Sequence, residues 1–148
     1  MVKIEKSILI HRPVAEVFAY LSNWENAPQW QSGLLESRQT TSGPVGVGTQ
    51  YIGARKFLGR RLEGTAEICA YEANRSFSIK SVSSQTPFVQ NFVFKPEAGG
   101  VRLTTDLKLQ AGGLMGLAEP LIAAGAKREF EADFDTLKDF LESQSVSA

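Results

Sequence analysis

The sequence predicts an α+β domain: one strand, two short helices, six further strands in an antiparallel sheet, and one long C-terminal helix. Three observations carry that prediction. Apolar residues recur every three to four positions near both ends of the chain, as one face of a helix requires, and every second position between them, as half-buried strands require. The connections in the middle are short and rich in Gly and Pro, which leaves no room for the crossover helices of a parallel sheet. The length, 148 residues, suits one domain whose core is large enough to stand without disulfides or metals.

Residues 3 to 10 alternate, with Ile4, Ile8 and Ile10 on one side. Pro13, pre-set for a first helical turn, opens a helix carrying Val14, Val17, Phe18 and Leu21 at 3.6-residue spacing. Asn23 caps a second short helix from Trp24 to about Trp30, kinked near Pro28, and Gly33 releases the chain into the sheet. Turns at Gly43-Pro44 and Gly46-Val47-Gly48 precede strands at about 49 to 57 and 61 to 70, joined through Phe57-Leu58-Gly59-Arg60. After a turn at Glu72 to Arg75 come strands at about 75 to 83, 87 to 95 and 100 to 111, the last two separated by Pro96-Glu97-Ala98-Gly99-Gly100. Residues from about 114 to 142 form the long helix, with Phe130, Phe134, Leu137 and Leu141 as its stripe and Glu131, Asp135, Lys138, Asp139 and Glu142 outside. Its first half sets Leu114, Leu117, Leu121 and Ile122 among Gly116, Ala118, Ala123, Ala124, Gly125 and Ala126, small residues that permit close helix-to-sheet contact or an unfilled space. Pro120 kinks that half or belongs to its first turn. The domain takes in residues 1–148, and 143–148 read as a frayed polar tail.

The alternation also assigns an inner face. Val101, Leu103, Thr105, Leu107 and Leu109 share one side of the last strand, opposite Arg102, Thr104, Asp106 and Lys108. Phe88, Gln90, Phe92 and Phe94 share a parity, as do Phe77, Ile79 and Ser81. From 61 to 70 the inside set is Leu62, Gly64, Ala66 and Ile68. In the strand before it, Tyr51, Arg55 and Phe57 compete with Ile52, Ala54 and Leu58 for the interior, so Arg55 faces solvent on one parity and the core on the other.

Composition removes several function classes. Sixteen basic residues balance sixteen acidic ones, so no global positive field exists to gather nucleic acid or anionic lipid. One cysteine, Cys69, excludes an intramolecular disulfide, and with one histidine, His11, a zinc centre would lean on carboxylates; neither a metal nor another cofactor is expected. His11 has no Ser-His-acid or Cys-His partners, Cys69 reads as a small hydrophobe closing a strand, and Glu67 and Asp106 sit on outward parities, against a paired-carboxylate mechanism. No Gly-x-Gly-x-x-Gly run follows a parallel strand. Lys56, Arg60 and Arg61 form a small basic cluster that reads as a solvated hairpin turn. The charged start, Val2-Lys3-Ile4-Glu5-Lys6, and the lack of a stretch of roughly 20 apolar residues make the cytoplasm the default location, where Asn74-Arg75-Ser76 carries no meaning as a glycosylation signal.

The sequence resembles one known family in its order of elements and in particular words: Ile10-His11-Arg12-Pro13-Val14-Ala15-Glu16-Val17-Phe18, Trp24-Glu25-Asn26-Ala27-Pro28-Gln29-Trp30, Gly46-Val47-Gly48-Thr49, Phe92-Val93-Phe94, Gly99-Gly100-Val101-Arg102-Leu103-Thr104 and Leu137-Lys138-Asp139-Phe140-Leu141-Glu142. It is similar, over about residues 3 to 142, to the polyketide cyclase/dehydrase and lipid-transport group of the START-like (SRPBCC) superfamily. The resemblance implies the helix-grip fold, in which a curved antiparallel sheet grips the C-terminal helix around a mainly apolar cavity. These words build the shell and identify no catalyst.

A cavity in that interior would draw on Phe88, Phe92, Leu103, Leu107, Leu117 and Leu121, with Tyr51, Arg55, Gln90 and Thr105 as its sparse polar contacts. The plain alternative is that these positions are packed core. An arginine near the mouth would favour a carboxylate or phenolate. The expected partner is a small hydrophobic or aromatic molecule, a lipid or polyketide-like compound among the candidates. Two other readings stand beside it: a cyclase or dehydratase gaining rate from proximity, with Tyr51 or Arg55 steering an enolate or carbonyl, and a noncatalytic interaction domain using its outer surface.

Overall fold

A computed structural model describes residues 2–57, 59–83, 87–110 and 119–143. The elements are β1 (Val2–Ile10), α1 (Val14–Ser22), a 3-10 helix (Trp24–Gln29), β2 (Leu34–Gln39), β3 (Gln50–Phe57), β4 (Arg60–Glu72), β5 (Ser76–Ser83), β6 (Phe88–Glu97), β7 (Gly100–Leu109) and α2 (Glu119–Ser143). The seven strands form one antiparallel sheet in the order β1-β7-β6-β5-β4-β3-β2. It is a meander from β2 to β7, with β1 added beside the last strand. This is the α+β helix-grip arrangement, with α2 lying across the curved sheet.

Local chemistry accounts for the boundaries. Pro13 sits one place earlier than expected, at the cap of α1, where it makes no side-chain cap bond; Arg12 and Glu16 clasp the turn instead at 2.8 Å. The second helix is 3-10 in form: Asn23 Oδ1 accepts the Glu25 N–H, while Pro28 inside it has no N–H to donate. β6 runs to Glu97, past the expected turn, because Pro96 pairs with Val101 near the strand end and Ala98-Gly99 then reverse the chain, with Gly99 at φ +82°.

The inner face follows the alternation. Val101, Leu103, Thr105, Phe92, Phe94, Phe77 and Ile79 are buried. Phe77 stacks on Phe92 at 4.5 Å between ring centres, and Phe18 of α1 meets Phe94 edge-on at 5.0 Å. The α2 stripe of Phe130, Phe134, Leu137 and Leu141 completes this core. Cys69 lies at a bulge in β4 and is half-buried, its Sγ 3.7 Å from the Ser78 carbonyl.

Lys138 and Glu142, expected outside, tie the end of α2 to the β1–α1 corner. The Lys138 ammonium donates to the Leu9 carbonyl, and Glu142 lies 3.3 Å from Lys138 while accepting the His11 backbone N–H at 2.8 Å. That is the place of His11 in the fold: its backbone is held and the residue is exposed.

Gly100 allows the corresponding approach of β1 to β7. A Cβ there would overlap the Ile10 carbonyl oxygen and stand 2.9 Å from His11 Cα, both backbone. Gly100→Ala is therefore expected to cost about 1–3 kcal/mol through displacement of the strand end, measurable as a lower urea midpoint.

Candidate functional site

The core does not fill the whole interior. Adjacent strands bring Leu34, Arg55 and Leu62 into one row across β2, β3 and β4, Ser37, Gly53 and Gly64 into the next, and Gln39, Tyr51 and Ala66 into a third. The middle row carries nothing larger than a serine side chain. Between it, the ends of β6 and β7 (Phe88, Gln90, Leu107, Leu109) and the underside of α2 (Ala126, Phe130, Asp133, Phe134) lies a cavity of about 190 Å³. Trp24 and Trp30 also reach it.

The open parity of β3 is resolved by this arrangement. Tyr51, Gly53 and Arg55 line the cavity, whereas Ile52 is exposed. Ala54, on the other parity, is buried and also borders the cavity, where β2 and β3 slip out of register between Leu34 and Glu36. Gly53 fits that close approach, since a Cβ would come within 2.7 Å of the Glu36 carbonyl oxygen.

Charge gathers on the side where α2 crosses β3. Arg55 Nη2 donates to Gln31 Oε1, and its Nη1 lies 3.7 Å from Glu129 Oε1. With 37% of the Arg55 side chain and 43% of Glu129 still accessible, this ion pair is weak. Burial lowers the Arg55 pKa, against the upward pull of Glu129 and Asp133. Gly33 leaves space for the pair, because a side chain there would meet both groups. Arg55 thus reaches the cavity with Gln31 and Glu129 beside it, and an anionic ligand group would share the guanidinium with them.

Asp133, a buried acid on α2, accepts the Ser32 N–H at 3.1 Å. Burial raises its pKa most, and Glu129 adds to the rise; the Ser32 bonds and Arg55 oppose it. A carboxyl with a raised folded pKa holds its proton longer in the folded than in the unfolded chain, so stability falls as pH rises from the usual value through the raised one. Asp133→Asn retains an acceptor for Ser32 and removes the ionisation. It is expected to abolish that decline and to be at least as stable as the parent at neutral pH, as urea midpoints across pH will register.

Tyr51 is 1% exposed, and neither its hydroxyl nor the Ser37 hydroxyl has a hydrogen-bond partner among the described residues. The Tyr51 pKa is raised by burial, and the neighbouring Trp24 backbone pulls it partly back without reaching hydrogen-bond geometry. Gln90 differs, since its amide donates to Thr105 Oγ1 at 3.1 Å and Thr105 donates on to the Asn91 carbonyl at 2.8 Å.

Of the residues anticipated for the cavity, Tyr51, Arg55, Phe88, Gln90 and Leu107 meet around it. Phe92, Leu103 and Thr105 instead lie in the packed interior. Leu121 is 80% exposed, on the outer side of α2, and Leu117 lies outside the described residues. Gln31, Ser37, Gly53, Glu129 and Asp133 were not anticipated as site residues. Asp133 leaves a trace in the sequence, an acid one place before Phe134 on the apolar stripe, and Gly53 and Gly64 leave another as glycines inside strands.

These features define a helix-grip domain with a partly apolar internal cavity. The chain belongs to the polyketide cyclase/dehydrase and lipid transport family, whose model matches residues 1–142. No curated protein sequence matches it. Among solved structures, a protein from Thermus thermophilus superposes with a TM-score of 0.82 at 15% identity, covering 97% of this chain and 99% of that one. A START superfamily protein from Mycobacterium smegmatis gives 0.78 at 14% identity, covering 97% and 99%. The di-domain ARO/CYC protein BexL of the BE-7585A biosynthetic pathway gives 0.68 at 17% identity, covering 94% of this chain and 46% of BexL. At such identities the likeness is one of fold. No helix among the described residues is long and apolar enough to cross a membrane.

Proposed function

We propose that the protein binds a small hydrophobic or aromatic molecule in the space between α2 and strands β3, β4, β6 and β7. The observation that carries this reading is the 190 Å³ cavity, walled on one side by Leu62, Phe88, Leu107, Leu109 and Phe130 and edged by polar groups that include Arg55, Gln90, Glu129 and Asp133. A dry cavity of about 150 Å³ can take a benzene ring, so the ligand portion held inside is about one substituted ring. An aromatic group burying about 150–250 Å² at ~25 cal/mol/Å² gains about 4–6 kcal/mol before polar contacts. That corresponds to affinities from the millimolar to the tens of micromolar. The family supports a carrier of lipid-like compounds.

A second reading is turnover of such a molecule, which Asp133 favours. Its carboxyl is buried on the cavity wall and holds its proton to higher pH than usual, the property a general acid needs. The name of BexL is compatible with that chemistry but belongs to BexL.

Native mass spectrometry of freshly purified protein, paired with organic extraction, tests the binding reading. A stoichiometric apolar or aromatic compound released on denaturation is the expected result. If nothing is retained and no member of a panel of one-ring and two-ring compounds shifts the melting temperature, the cavity is not a binding site.

A further inference from the structure

Although the chain has no net charge, its outer sheet face gathers cations at one end. Lys3 of β1 stands opposite Lys108 of β7, Lys108 opposite Val89 of β6, and Val89 opposite Lys80 of β5. All four are exposed, and none of the three lysines is in an ion pair among the described residues. Lys3 and Lys108, directly opposite, are a like-charge pair that costs stability by itself. Glu67, the neighbour of Lys80, accepts a hydrogen bond from the Gln50 amide at 2.8 Å, and the next row inward carries Glu5 and Asp106, so the positive strip is confined to the end. The β3–β4 hairpin adds exposed Lys56 and Arg60 there. Aliphatic groups share this end: Val82 is exposed beside the row, and α2, fixed by its far end to the Leu9–His11 corner, brings exposed Leu121 of its first turn to the end where Val2 meets Leu109. Phe88 and Leu109 of the cavity wall lie at the same end.

We propose that this end of the domain docks peripherally on an anionic lipid surface, with the lysine row among the headgroups and Val82, Val89 and Leu121 against the acyl boundary. The docking does not depend on what the cavity holds. The negative potential of such a surface acts only within a Debye length, so a local strip of cations binds where the net charge of the whole chain is zero. Lysines are flexible point charges that suit a fluid array of phosphates, whereas the fixed carboxylates of a protein partner would reward the planar fork of arginine. Their long stems cover apolar surface while the ammonium stays in water, and exposed aliphatic side chains gain from an acyl layer beneath the headgroups.

The test is cosedimentation of the full chain with vesicles of phosphatidylcholine alone, or of phosphatidylcholine with about one third phosphatidylglycerol, beside a binding assay with polyglutamate as a soluble acidic polymer. Retention by the anionic vesicles only, lost as added salt screens the charges, is the expected result. Lys3→Gln, Lys80→Gln and Lys108→Gln should each weaken partitioning about fivefold. A triple variant of Arg38→Gln, Arg75→Gln and Lys95→Gln removes three exposed cations away from this end and should leave partitioning unchanged. Urea midpoints equal to that of the parent show that the variants fold. No retention, equal retention by neutral vesicles, or equal losses from the two sets of substitutions would each overturn the proposal. Capture by polyglutamate without retention by vesicles would overturn it too and assign the strip to an acidic protein. Each of these results leaves the binding reading of the cavity as it stands.

Discussion

Phe134→Ala is expected to lower stability by about 3–5 kcal/mol. Phe134 is 1% exposed and joins three parts of the interior: its ring centre lies 5.0 Å from Trp30, 4.7 Å from Phe130 and 6.5 Å from Phe92. Those contacts tie α2 to the segment before β2 and to β6. Truncation removes the transfer energy of the ring, leaves a hole beside an existing cavity, and strips a partner from three other aromatic rings. Urea unfolding measures the loss. Leu121→Ala on the same helix, at an 80% exposed residue, should change stability by less than about 0.5 kcal/mol. Comparable losses at the two positions would mean that α2 does not pack through its Phe134 face.

Gly64→Ile is expected to abolish ligand binding while leaving the protein folded and no less stable. Gly64 lines the cavity, opposite Gly53 in the row whose largest side chain is that of Ser37. A β-branched side chain suits an extended strand and places apolar atoms in the empty space. Filling a void of about 190 Å³ commonly adds about 0.5–2 kcal/mol. Loss of binding of at least about 100-fold with an unchanged or higher urea midpoint is the outcome that separates a ligand space from a packing defect. Undiminished binding of the one-ring and two-ring compounds would place the ligand elsewhere.

Where a strand has one wet and one dry face, its sequence declares the outcome. The opposition of Leu103, Thr105 and Leu107 to Arg102, Thr104 and Asp106 in β7 suffices to orient that strand. β3 is ambiguous for a physical reason: Gly53 and Ala54 are too small to mark either face, and a slip in register buries Ala54 on the opposite parity. The fate of Arg55 therefore depends on strand pairing. On α2, extending the apolar set upward through Leu121 fails on helical phase. Leu121 is nine residues from Phe130, about two and a half turns, and so falls on the opposite side. The stripe runs instead through Ala126 and Ala123, which pack against the core. Ser37 and Gln31 have no signal of their own, because a polar residue in a short strand or after a turn is ordinarily wet. Their burial depends on the arrangement of the chain around them.

The pairing of the first strand with the last also has a consequence for synthesis. Val2 faces Leu109 and Ile10 faces Val101, so the most N-terminal element finds its neighbour only after some hundred residues have been added. During translation, the chain from β2 through β6 can form hairpins, but β1 has nowhere to dock until β7 has left the ribosome. The α2 residues that cover Phe92 emerge later still. Docking of β1 is consequently a late step that waits on a non-local contact, the kind of pairing that slows folding. Until it occurs, the aromatic face of the meander is left for chaperones or for neighbouring nascent chains to meet.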